Sequence, residues 1–147
     1  MTKSVPKFPS RRRYHLSSWM LLCETGIFLT TTALFKRLLP FRIVSRLLGK
    51  PVEHPTASLL PNEIRADLSW AYRVFQKLPT PLRPVCLTEV LALCLMLRRR
   101  RLYGTSALGA RKDASNLRLH AWMLCGSQVL PRSQDLRNFH VIALFEP

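Results

Sequence analysis

Acidic residues are scarce in this chain. Eight Asp and Glu stand against 23 Lys and Arg over 147 residues, a formal charge of +15. An acidic surface is excluded, and an anionic partner comes into view: nucleic acid, a membrane surface or an anionic peptide. Net charge alone names no fold and no site. Paired cysteines are also lacking. Cys23, Cys86, Cys94 and Cys125 show neither CxxC nor metal-ligand spacing. His15, His54, His120 and His140 are isolated from one another, so no metal site is expected. Cys86 and Cys94 are eight residues apart on one predicted helix. That is about 12 Å at 1.5 Å per residue, too far for a disulfide. Reduced thiols in a reducing, cytoplasmic compartment fit this usage.

No secretory signal is expected either. The run WMLLCETGIFLTTTALF, residues 19–35, follows a basic start but contains Glu24 and lacks a small-residue cleavage site. Its 17 residues with an internal charge fall short of a membrane span, so no transmembrane segment is expected. It reads as a buried or partner-facing helix. No internal repeat is present.

What is there is an ordered, apolar chain. Hydrophobic residues make up 48% of it, enough to bury the core of one domain. Residues 1–13 are basic and proline-containing and are expected to be loose. Residues 14–49 hold the N-terminal helices: one from about Tyr14 to Leu39, then FRIVSRLLG ending at Gly49. KPVEHPTASLLP, residues 50–61, reads as a loop. Residues 62–147 form the remaining core. Asn62 is placed to cap a helix whose apolar positions Ile64, Leu68, Ala71, Tyr72 and Phe75 recur at helical spacing. Trp70, Tyr72 and Phe75 stand beside Arg65 and Arg73, but this spacing suits a core stripe better than a nucleic-acid surface. A further helix runs from Cys86 to about Arg101, and its closing RRRR suits the helix C-terminus. Then YGTSALGARKD, LRLHAWMLCG, QVLP and HVIALFE read as strands of a small antiparallel sheet. Helices first and a sheet after make the fold α+β.

The stretch LRPVCLTEVLALCL, residues 82–95, carries the chemical question. Cys86 opens a helix directly after a proline-rich turn. A helix start favours the thiolate of a cysteine placed there, and its backbone N–H groups can hold an oxyanion. A cysteine hydrolase needs that thiolate, a histidine to share its proton and a group to orient the histidine. His120 sits on a strand-like segment whose alternation puts it on one face with Trp122 and Cys125 on the other. After His120 the acidic residues are Asp135 and Glu146. Asp135 is the better placed of the two, with Gln128 or a backbone carbonyl as alternatives. Each residue also has a plain reading: buried filler for Cys86, a satisfied structural histidine for His120, a turn cap for Asp135.

The order helix-start Cys, strand His-Ala-Trp and later acid resembles the transglutaminase-like cysteine proteases. More narrowly, the chain resembles the lasso peptide biosynthesis B family, in the form whose leader-peptidase half is a separate polypeptide. ETGIFLTTTALFKRLLPFRIVSRLLG, RPVCLTEVLALCLMLRRRRL, TSALGARKD and LHAWMLCGSQVL carry the resemblance over nearly the whole chain. Leu108, Gly109 and Ala110 stand where that family commonly reads isoleucine-glycine-valine. The resemblance implies one transglutaminase-like domain over residues 1–147, with Cys86 as nucleophile, His120 as general base and acid, and Asp135 as orienter. It implies a hydrolase that cuts the leader from a ribosomally made precursor peptide, with no cofactor. It further implies a separate leader-recognition protein and a macrolactam-forming cyclase as partners, and no nucleic acid. On that reading the first helices dock the recognition protein or leader, and Lys36 and Arg37 steer acidic groups to the site. The rivals are a basic module binding nucleic acid or an anionic membrane, and an inactive scaffold in a biosynthetic complex.

Overall fold

The computed structural model describes residues 14–55, 60–79, 84–113, 116–126, 128–130 and 136–146. Its centre is α4, Cys86–Arg99. The sequence CLTEVLALCLMLRR is apolar around most of the helix circumference, and such a helix is stable only when covered on all sides. Val90 to Cys94, Met96 and Leu97 are accordingly buried. Three helices supply part of the cover: α1 (Tyr14–Leu38), α2 (Phe41–Leu48) and α3 (Asn62–Gln76). They contribute Leu29, Val44, Leu48, Leu68 and Tyr72 to the shared core.

The sheet closes the other side. Its strands are β1 (Lys50–Val52), β2 (Thr105–Asp113), β3 (Asn116–Cys125), β4 (Gln128–Leu130) and β5 (His140–Glu146). They lie in the order β1-β5-β2-β3-β4, and every pairing is antiparallel. Ala121, Met123 and Cys125 of β3 join the core cluster around α4. The α+β class expected from the sequence is the observed one.

Three local features differ from the sequence reading. Lys50–Val52, expected within a loop, pairs with the far end of β5 as an edge strand. Its Pro51 removes a donor, which an edge position tolerates. Asn62 does not cap α3: the helix already includes it, and Pro61 stands in the N-cap position without a side-chain bond. Third, α4 ends at Arg99, short of the expected Arg101, and it ends by a backbone device. Leu102 N–H donates to the Leu97 carbonyl and Arg101 N–H to that of Arg98, at 2.9 Å each. This pattern requires a left-handed residue, and Arg101 takes it with φ 56°.

Helix α1 has two faces. Thr25 and Thr32 are fully buried, and the Thr32 hydroxyl donates to the Thr88 carbonyl of α4 at 3.3 Å. Glu24 forms a bidentate pair with Arg100, at 2.7 and 2.6 Å, and meets Arg99 at 3.0 Å. The RRRR run therefore ties the end of α4 to α1 besides facing the helix dipole. On the other face Trp19, Met20, Ile27, Leu34 and Leu38 are exposed. Part of the apolar surface of α1 is thus left uncovered among the described residues. By length and composition Ser18–Leu38 is also sufficient to cross a membrane, and little of it is buried.

Candidate active site

Cys86 is the first residue of α4, half-buried and packed against the edge of the core. Val85, extended at φ −88° and ψ 153°, occupies the N-cap position and makes no side-chain cap. A valine has no oxygen to offer. The first-turn N–H groups, which no helix can satisfy internally, therefore receive no cap from the preceding side chain. They stand beside the thiol, where an oxyanion would form.

Glu89, one turn on, is nearly fully buried. Its carboxylate accepts a hydrogen bond from the Gln76 amide of α3, and the Tyr72 hydroxyl donates to the Glu89 carbonyl at 3.2 Å. Burial, then the Glu89 charge, pushes the Tyr72 phenol well above its usual range, so it stays a donor. This polar layer fastens α3 behind the start of α4. It is not legible in the sequence, because a buried Gln-Glu-Tyr set across two helices has no spacing signature.

His120 lies on β3 opposite Gly109 of β2. Its ring stacks on Trp122 (centroids 5.9 Å apart, 25° between planes) and lies 5.4 Å from Phe139. Burial lowers its pKa below the usual histidine range, which favours the neutral imidazole a general base must be. Gly109 makes the arrangement possible: a Cβ there would stand 2.5 Å from Trp122 Cη2 and 3.0 Å from the His140 carbonyl oxygen. The pairing of β2 with β5 shifts register at the same level, between Leu108 and Gly109. Such irregularities re-aim side chains and are common beside active sites. Gly109→Ala is expected to force the indole off the strand, costing about 1–3 kcal/mol by overpacking. It should lower the melting temperature and change the intrinsic Trp fluorescence. An unchanged melting point and spectrum would show that the indole repacks freely.

The topology brings Cys86 and His120 to one end of the helix–sheet unit. The chain reverses between α4 and β2, and Cys94 Sγ meets Ser106 Oγ at 3.1 Å. Eight residues back along the helix is about 12 Å. Three residues forward along β2, to Gly109, is about 10 Å. Cys86 is thus level with Gly109 and its partner His120. The two residues nevertheless approach from different layers. Ala121, Met123 and Cys125 face the α4 core, while His120 shares the opposite face with Gly109 and Trp122. The split of His120 and Trp122 from Cys125 is the one expected from strand alternation. On the edge of β3 away from β2, β4 pairs only with Met123 to Cys125, and among the described residues no strand covers that edge from Asn116 to Trp122.

Asp135 lies outside the described residues. Its side-chain alternatives, Glu146 and Gln128, sit at the wrong end of the sheet. Glu146 accepts a hydrogen bond from the Thr105 hydroxyl at 2.6 Å, at the level of Leu124. That is four residues from His120, about 13 Å along the strand. Gln128 pairs with Cys125, one residue farther still. The other thiols are poor nucleophiles or lie elsewhere. Burial raises the Cys94 thiol and pushes Cys125 up to about 11, while Cys23 is exposed on α1. Among the described residues no group of His, Cys, Asp and Glu is arranged to hold a metal.

These features, a cysteine opening the central helix and a histidine on the adjoining antiparallel sheet, agree with the comparison to known families. The Transglutaminase-like superfamily matches residues 28–144, from the second half of α1 to β5. The chain belongs to the transglutaminase-like superfamily. No curated protein and no solved structure matches it. The match spans Cys86, His120 and Asp135 together and includes the second half of α1 and all of α2. The transglutaminase-like fold fits the chemistry of a cysteine peptidase.

Proposed function

We propose that this transglutaminase-like chain is a cysteine peptidase that removes the leader from a ribosomally made lasso precursor peptide. The observation that carries the reading is Cys86 at the uncapped start of α4, level with His120. In the proposed reaction His120 takes the proton from Cys86, and the thiolate attacks the scissile carbonyl. First-turn N–H groups of α4 stabilise the resulting oxyanion. As the C–N bond breaks, His120 protonates the departing amine. Water, deprotonated by His120, then hydrolyses the thioester and regenerates the thiol. Proton transfer needs the imidazole presented past the open edge of β3 toward the thiol. We assign Asp135 the task of orienting that ring.

The cytoplasmic partners proposed are the precursor, a leader-recognition protein and the macrolactam-forming cyclase. The test is reconstitution of the full chain with the precursor and recognition protein encoded beside it, followed by mass spectrometry. A single cut at the leader–core junction supports the reading; an intact precursor at every enzyme concentration contradicts it. In the same assay Asp135→Asn should slow turnover by about 10- to 1,000-fold, leaving residual activity because nucleophile and oxyanion donors remain. An unchanged rate would remove Asp135 from the mechanism. Binding of nucleic acid or anionic vesicles that falls steeply with salt, with no activity to lose on Cys86→Ala, would instead favour a basic binding module.

A further inference from the structure

A groove of about 640 Å³ opens between α1, α3 and the start of α4. Leu29 and Ala33 of α1, with Phe75 and Leu78 from α3 and its end, make its walls apolar. The α4 side is formed by Pro84, Val85 and Thr88, so the groove begins one residue before Cys86. Its remaining boundary carries Lys36 and Arg37, both exposed. Among the described residues neither cation has an ion-pair partner, and no lining residue is acidic.

We propose that this groove is a specificity subsite: it takes an apolar side chain of the peptide being cut, while an acidic residue next to that side chain is held at Lys36 and Arg37. The assignment rests on the cysteine-peptidase reading above. Three observations select the cleaved peptide as occupant. Position comes first, because anything seated against Val85 and Thr88 lies within one residue of the reacting thiol. Shape follows, since the volume is within the range of ligand sites and suits a side chain with its flanking backbone. Charge completes the set: two unpaired cations on an apolar rim favour a carboxylate at one edge. Binding energy collected here would hold the scissile carbonyl at Cys86 and raise the rate by proximity.

The experiment uses the full chain and needs no natural substrate. Cys86 is alkylated with peptidyl chloromethyl ketones carrying Leu beside Glu, the Leu placed one, two or three residues from the reactive group. Matched probes carry Ala beside Lys. Each rate is divided by that for iodoacetamide, which is too small to use the groove. The best Glu-Leu probe should react about tenfold or more faster than its Ala-Lys counterpart, in line with what one apolar pocket discriminates. Filling the groove from the exposed face of α1 by Ala33→Phe should erase most of that preference. Lys36→Glu with Arg37→Glu should remove the acidic part of it, and added salt should weaken the same part in the parent. Circular dichroism checks that both variants fold. Equal normalised rates for both probe types at every Leu position overturn the subsite while leaving Cys86 a nucleophile. A Cys86 inert even to iodoacetamide overturns both the subsite and the peptidase reading.

Discussion

Replacing Cys86 with alanine is expected to abolish cleavage while leaving the protein folded. The side chain is half-buried at a helix start, and its loss removes one sulfur from the margin of the core. The stability cost should stay within about 1 kcal/mol, the range of small truncations away from tight packing. The chemical cost is of another order. Without Sγ no thioester forms, and the oxyanion donors alone give a small residue of catalysis. Losses of about 10⁴-fold or more are usual when a nucleophile is removed. Far-ultraviolet circular dichroism and a melting curve, run beside the cleavage assay, separate the two effects. Measurable turnover by folded Cys86→Ala would move the reaction to another group. Cys94 and Cys125 are weak candidates, because burial holds both thiols in the protonated form.

His120→Ala should produce the second largest loss, about 10²- to 10⁴-fold, the usual contribution of a general acid–base group. Its pH dependence carries a sign. Burial lowers the His120 pKa, so the neutral, base-competent ring is the main form at pH 7. Protonating the ring removes the base, and kcat/KM should therefore fall as the pH drops, with the acid limb centred below about 6.5, the unperturbed histidine value. In His120→Ala that limb should vanish along with most of the rate. A parent whose rate rises toward low pH would contradict the assignment of His120 as base. His120 also stacks on Trp122 and packs at a tilt against Phe139, so a melting curve of the variant must accompany the kinetics.

Much of this fold was legible in the sequence because it is written in periodicity. The apolar run after Cys86 marked a helix, and the alternation around His120 marked the strand that carries it and the faces of Trp122 and Cys125. Asn62 misled because its capping preference competes with Pro61, which is well suited to the approach of a helix but supplies no donor or side-chain oxygen. The strand at Lys50–Val52 was hidden because three residues containing a proline give no alternation to read. At the site, Cys86 and His120 stood out by residue type and position. The uncapped start of α4, the Gln76–Glu89 bond and the groove beside Val85 did not. They arise from contacts between α1, α3 and α4, and no spacing along one segment encodes them. Gly109 is intermediate: its place in the strand before His120 was readable, but its register opposite His120 and the indole lying across it were not.

The central claim is that His120 controls the reactivity of Cys86, although the two approach from different layers of the fold. The most direct measurement is the rate of iodoacetamide alkylation at each cysteine, resolved by peptide mass spectrometry, in the parent and in His120→Ala between pH 6 and 9. The parent should label Cys86 first, ahead of exposed Cys23 and well ahead of Cys94 and Cys125. At pH 6.5 His120→Ala should slow Cys86 by about tenfold or more, with the gap narrowing as hydroxide takes over the proton. Cys23 should react equally in both proteins. Superimposable Cys86 profiles for the parent and His120→Ala, or Cys23 outpacing Cys86 at pH 6.5, would contradict it.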